Sequence, residues 1–191
     1  MKKRLKILVV RFSSIGDIIL TTPIIRCLKQ QLNADIDFLT KNQNSKILQN
    51  NPNINNVIVI GNNTKYTLDT LRSNRYDFVI DLQNNFRSFK LRLALGVKSH
   101  TFSKQNIKRY LLIYFGIDLL KTHIVDRYFN TVLDLKVYND NKGIDYFIKD
   151  IPKISFNTAQ DYICWCIAGT NERKKLSLKQ ISSVISKINL L

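Results

Sequence analysis

Two hydrophobic periods alternate along most of the chain. Short apolar, β-branched runs predict strands near 5–10, 35–39, 57–60, 77–81 and 98–102. Apolar residues at three- and four-residue spacing predict helices near 17–32, 42–49, 66–73, 88–95, 105–115 and 123–135. Ile7 to Val10 is too short to span a bilayer and suits a strand buried on both faces of a parallel sheet. Strand followed by helix, repeated, predicts an α/β fold with a doubly wound, Rossmann-like parallel sheet covered on both faces. The polar stretch Asp140 to Asn157, with Gly143 and Pro152, reads as a connection out of that domain. Beyond it a second unit begins, with a strand at Tyr162 to Ile167, a loop at Ala168 to Leu176 and a helix at Ser177 to Leu190, capped at or just before Ser177. The expected organisation is a first domain over 1–140, a connection over 141–160, and the first strand and helix of an incomplete second domain over 161–191. One strand and one helix cannot bury their apolar faces alone, so this piece must pack on the first domain, pair with another chain, or fray.

The segment Lys6 to Pro23, KILVVRFSSIGDIILTTP, carries the most chemistry. Its strand enters a Ser13, Ser14, Gly16 turn and then a helix, which sets Asp17 at the carboxyl edge of the sheet, where open α/β sheets collect ligands. Gly16 tolerates positive φ and close backbone approach, and hydroxyls and free N–H groups at the helix start offer donors to an anion or a sugar. Asp17 fits two readings at this point: a group placed for chemistry, or an N-cap satisfying orphan N–H groups.

Composition narrows the class. With 191 residues and 45% hydrophobic content the chain can bury a real core. No apolar run is long enough to span a bilayer, and the Met-Lys-Lys-Arg start leads into a strand rather than a signal-peptide core, so a cytoplasmic location is expected. Three cysteines, Cys27, Cys164 and Cys166, argue against a disulfide framework, and Cys164 and Cys166 read as strand thiols sharing one face. With only His100 and His123 as histidines, no metal site is indicated.

A net charge of +16 would ordinarily raise nucleic acid or an anionic membrane as a partner, but Lys, Asn and Ile are all abundant, as in an AT-rich coding sequence, and the cations are dispersed. The strongest cluster is Lys98, Lys104, Lys108 and Arg109, interleaved with Ile107, Tyr110, Leu111 and Tyr114. It reads as an ordinary amphipathic helix first and as a surface for phosphorylated lipid headgroups second. No nucleic-acid-binding motif accompanies it, so no nucleic acid is expected as a partner. Walker and dinucleotide fingerprints are absent as well. Asp35-Ile36-Asp37 matches the Asp-x-Asp of metal-dependent glycosyltransferases only superficially and reads as the edge of the second strand.

The N-terminal segment resembles the motif of glycosyltransferase family nine, the ADP-heptose:lipopolysaccharide heptosyltransferases, with Arg11, Ser13, Ser14, Ile15, Gly16, Asp17, Thr22 and Pro23 in register. Tyr76 to Gln83 followed by Arg87-Ser88 is similar to the family's fourth-strand block, Asn51 to Val57 to its connector before the third strand, and Ile163 to Ser177 to the opening strand and loop of its second domain. The resemblance implies the N-terminal half of a two-domain GT-B glycosyltransferase with a truncated second domain. It implies inverting, metal-independent transfer from ADP-heptose, with Asp17 as base and no cofactor, to a lipopolysaccharide core or lipid A acceptor. Ser13, Ser14, Gly16 and Arg87 would form the acceptor-side loop, and Gly169, Thr170 and Lys174 would meet the donor phosphates. Read without the resemblance, Lys174 is a solvated loop lysine. The family's downstream donor block has no counterpart here, so a non-catalytic remnant or acceptor-binding module is the alternative, and a partner chain would be one way to complete the C-terminal domain.

Overall fold

The computed structural model describes residues 4–61, 64–104, 113–115, 122–149 and 175–188. The chain divides into two compact units, Met1–Asp150 and Ile151–Leu191. In the first, β1 (Lys6–Val10), β2 (Asp35–Thr40), β3 (Asn56–Val59), β4 (Phe78–Asp81) and β5 (Ser99–Thr101) form one sheet in the order β3-β2-β1-β4-β5. All four pairings are parallel. The expected sheet is therefore present, with β1 at its centre.

Among the described residues, the helices of this unit include α1 (Ile15–Ile19), α2 (Thr22–Leu32), α3 (Asn42–Ser45), α4 (Thr64–Ser73), α5 (Phe86–Leu95) and α6 (Ile124–Phe129). Because side chains alternate across a strand, β1 feeds two cores. Ile7 and Val9 pack with Ile24, Ile25 and Leu28 of α2 and with Tyr128 and Phe129 of α6. Leu8 and Val10 pack on the opposite face with Leu71 of α4 and Leu91 of α5. Burying both faces of a strand accounts for its unbroken apolar run.

Three predicted helices are cut differently, each for a local reason. The helix expected over 17–32 is two helices, α1 and α2. Pro23 has no N–H for the Ile19 carbonyl, and the Thr22 hydroxyl donates to that oxygen instead at 2.8 Å, while the Thr21 hydroxyl donates to the Ile18 carbonyl at 2.6 Å. The helix expected over 42–49 stops at Ser45. The Ser45 hydroxyl donates to the Asn42 carbonyl at 2.8 Å, and the chain continues in i→i+3 turns through Ile47 and Leu48. The helix expected over 123–135 ends at Phe129. Thr131 and Val132 switch to i→i+3 bonds that bury Val132, and a 3-10 helix follows at Leu133–Leu135. The helix expected over 105–115 falls almost entirely outside the described residues.

The Asp-x-Asp pair splits by environment. Asp35 is half-exposed beside Arg4 and Lys29, whereas Asp37 is fully buried and accepts from the Tyr76 hydroxyl at 2.7 Å and the Asn56 amide at 2.8 Å. A carboxylate satisfied in this way is structural. Cys27 is a buried free thiol, whose pKa burial pushes up. The strand expected at Tyr162 to Ile167, with Cys164 and Cys166, lies outside the described residues.

In the second unit the described element is α7 (Leu178–Ile188). Ser177 caps it as expected: its hydroxyl accepts from the Gln180 N–H at 3.3 Å, and Gln180 Oε1 accepts from the Ser177 N–H at 2.8 Å.

Candidate functional site

The strand order reverses between β1 and β4, so the crevice outside their carboxyl ends is the position where such a sheet receives a ligand. Two loops meet there. The loop after β1 carries Arg11 to Ser14, and the loop after β4 carries Leu82 to Asn85. They are tied at Phe12, whose N–H donates to Gln83 Oε1 at 2.8 Å and whose carbonyl accepts from the Asn44 amide at 2.8 Å. The β4 loop is shaped by buried Asp81, which accepts from the Gln83 and Asn84 N–H groups at 3.0 and 2.8 Å and pairs with Arg92 at 2.9 Å. Asn85 then caps α5 by accepting from the Ser88 N–H at 2.9 Å.

Asp17 sits in this crevice at the third position of α1. The N-cap is Ser14, reached through a cis Ser13–Ser14 peptide, so the expectation of Asp17 as the cap itself is corrected by three residues. Oδ2 of Asp17 accepts from the Ser14 N–H and hydroxyl, both at 3.0 Å, and lies 2.7 Å from Arg11 Nη2. Arg11 is itself buried, and its Nη1 donates to the Leu82 carbonyl. Burial pushes the Asp17 carboxyl up. The Ser14 N–H, the charge and hydrogen bond of Arg11 and the Ser14 hydroxyl outweigh that and hold its pKa below the ordinary aspartate value. Asp17 is therefore ionised at neutral pH. All three contacts go to one oxygen; Oδ1 has no partner among the described residues.

A cavity of about 250 Å³ opens onto this carboxylate, lined by Arg11, Asp17, Gln83, Phe102, Lys104, Ile124 and Arg127. Arg127 is held by the Ser103 carbonyl at 2.7 Å and lies over the Phe102 ring at 4.8 Å. Three cations and one carboxylate make the cavity electropositive, an environment suited to a polar ligand that carries an anionic group.

Of the expected loop residues Ser13, Ser14, Gly16 and Arg87, Ser14 holds Asp17, while none of the four lines the cavity itself. Arg87 lies over the Phe12 ring at 5.8 Å and donates to the Gly61 carbonyl at 3.2 Å, outside the cavity lining. Gly16 does not use a positive φ, and a Cβ there would meet nothing within 4 Å, so the protein's own packing does not demand glycine. Nor is the Ser14 N–H open to a ligand, since Asp17 takes it. Gly169, Thr170 and Lys174 lie outside the described residues. Sequence reasoning missed Gln83, Phe102 and Arg127 as neighbours of Asp17: Gln83 and Phe102 follow the carboxyl ends of β4 and β5, and Arg127 comes from α6, so only the tertiary fold brings them there.

A five-stranded parallel sheet whose strand order reverses at β1 and β4, with helices packed on both faces, is an α/β domain of the Rossmann-like type. No family model matches the sequence. Over 171 residues the chain is 30% identical to lipopolysaccharide heptosyltransferase 3 of Escherichia coli (strain K12), covering 78% of this chain and 44% of that protein. Among solved structures, the glycosyl transferase family 9 protein from Veillonella parvula DSM 2008 matches with a TM-score of 0.58 at 23% identity, over 78% of this chain and 47% of that one. The E. coli heptosyltransferase WaaC with ADP matches with a TM-score of 0.58 at 20% identity, over 74% and 50%. The two structures speak for the fold, and the chain spans about half the length of the relatives it matches. The similarity is thus to lipopolysaccharide heptosyltransferase 3 in sequence and to glycosyltransferase family 9 structures in fold.

Proposed function

We propose that this chain is the acceptor-side half of an inverting heptosyl transfer site in which Asp17 is the general base. A hydroxyl of the acceptor attacks the anomeric carbon of ADP-heptose, the bond from that carbon to the diphosphate oxygen breaks, and ADP departs. The hydroxyl proton passes to Asp17. The observation that carries this reading is the division of labour within the carboxylate: Oδ2 is fixed by Ser14 and Arg11, and Oδ1 is left to accept. Arg11, Lys104 and Arg127 suit a lipopolysaccharide inner-core or lipid A acceptor, because such an acceptor is anionic. In the same reading Lys174 and the Gly169–Thr170 N–H groups offset charge on the departing diphosphate, no metal or cofactor is required, and the chain works in the cytoplasm. Contact of the Lys98, Lys104, Lys108 and Arg109 segment with membrane headgroups also belongs to this reading.

The test is transfer of labelled heptose from ADP-heptose to a Kdo-lipid A acceptor by the purified chain, with Asp17→Asn alongside. Transfer that disappears in the variant supports the proposal; an unchanged rate removes Asp17 as the base. A second reading rests on the electropositive cavity beside Asp17, which can hold an anionic acceptor without reacting: an acceptor-binding module without transfer activity of its own, or one completed by a partner chain. Affinity for ADP-heptose that depends on Lys174 separates them, since the module alone predicts none.

A further inference from the structure

We propose that α5 is a docking face for an anionic lipid bilayer, with Phe86, Phe89 and Leu93 entering the headgroup region. These residues, spaced by three and four, form one stripe of the helix and are 72%, 44% and 66% exposed. The opposite side of α5, Ser88 and Leu91, is buried against the second core. The apolar stripe is therefore not required by the fold, and leaving two phenylalanines and a leucine in water is unfavourable for an isolated molecule.

Charge selects the occupant. Lys90 lies over the Phe86 ring at 4.4 Å and Arg92 over the Phe89 ring at 5.6 Å, so cations flank the stripe. Arg87, Lys90 and Lys98 are exposed, and none forms an ion pair among the described residues. Between Leu82 and Ile117 there is no Asp or Glu, against seven Lys and Arg residues. Aromatic residues interleaved with cations, with acids excluded from the whole segment, match the apolar boundary and negative headgroups of an anionic leaflet. A protein-binding face would instead be depleted in lysine at its centre. The stripe begins one turn after Gln83, which lines the Asp17 cavity, so a docked bilayer would lie beside that site.

The proposal rests on α5 and not on transfer, and either can fail alone. It is tested by co-sedimentation of the purified chain with vesicles of phosphatidylcholine, with and without phosphatidylglycerol. Binding is expected on the anionic vesicles only and should weaken at high salt. Phe86→Ser with Phe89→Ser should lower partitioning roughly tenfold while circular dichroism and the melting temperature stay unchanged. Lys90→Glu, which leaves the apolar stripe intact, should also weaken it. Equal binding to neutral and anionic vesicles, or undiminished binding by these variants, would overturn the proposal. So would a dimer in solution that the double serine variant turns into a monomer, because a second copy of the chain would then be the occupant.

Discussion

Two arginine–aspartate clusters flank α2, and they differ in what they leave over. Arg26, on α2, engages all three guanidinium nitrogens: Nε and Nη2 grip both oxygens of Asp140 at 2.8 and 2.7 Å, Nη1 pairs with Asp145, and Nη2 also donates to the Gly143 carbonyl at 3.0 Å. Asp140 is saturated, and the Arg26 hydrogen bond holds its carboxyl far below the usual range. Arg11 binds one oxygen of Asp17 and a backbone carbonyl, and the other oxygen has no partner among the described residues. The first arrangement pins the segment 140–145 to α2 and saturates Asp140. The second orients a carboxylate and keeps half of it available. Low carboxylate pKa values occur in both, so the shift alone does not separate the two groups; the unpartnered oxygen does, and it is what the proposed base role of Asp17 requires.

The largest expected effect breaks the comparison on the Asp17 side. Asp17→Asn should lower heptosyl transfer about 10²- to 10⁴-fold while the fold is kept, because an amide preserves shape and can still accept from Ser14 but cannot take a proton. Transfer rate and thermal melting measured on the same preparation decide it: a fall in both would assign Asp17 to structure, like Asp140.

Arg26→Met is the matching change on the other side. It leaves Asp140 and Asp145 partly buried without their partner, and should cost about 3 kcal/mol by chemical denaturation. An effect below about 1 kcal/mol would show that water replaces the guanidinium and that the segment is not held by this pair.

How legible each cluster was follows from sequence distance. The β1 run, the Ser-Ser-Ile-Gly-Asp turn and α1 are contiguous, so the carboxylate at a strand-to-helix junction could be read directly from residues 6–23. The sheet was legible for the same reason, since each strand is a local apolar run. Pro23 was visible too, yet the break at Leu20 and Thr21 depends on threonine hydroxyls capping two carbonyls, a choice of hydrogen bond that periodicity does not encode. Arg26 meets Asp140 across 114 positions, and Arg127 reaches the Asp17 cavity from the far end of the domain; nothing local pairs them. The polar stretch from Asp140 reads as a connection in sequence, and its aspartates look solvated until Arg26 is seen beneath them.

The pH dependence of stability sharpens the contrast further. A carboxylate whose folded pKa is depressed contributes stability that is fully present above its unfolded value near 4 and is lost as pH falls toward the folded value. Asp140 and Asp17 both act in this direction, so the chain should lose stability below about pH 4. Asp140→Asn should flatten that acid-side loss more than Asp17→Asn, because Asp140 is the more strongly depressed. Denaturation midpoints at neutral and acid pH give the slopes, and equal flattening by the two variants would contradict the ranking.

The smallest effect concerns how Oδ2 of Asp17 is fixed. Ser14→Ala removes the hydroxyl donor and keeps the backbone N–H, so one of the two serine contacts survives. The loss of a single exposed hydrogen bond to a charged group should cost about 0.5–1 kcal/mol of stability. The carboxyl, relieved of one donor to its ionised form, should titrate at a slightly higher pH. Arg11→Lys should move that titration further in the same direction, because an ammonium reaches Asp17 without also gripping the Leu82 carbonyl in a fixed fork. A carboxyl-carbon NMR titration of both variants orders the two donors. If Ser14→Ala shifts the titration more than Arg11→Lys, the serine turn, and not the buried guanidinium, sets the orientation of the carboxylate.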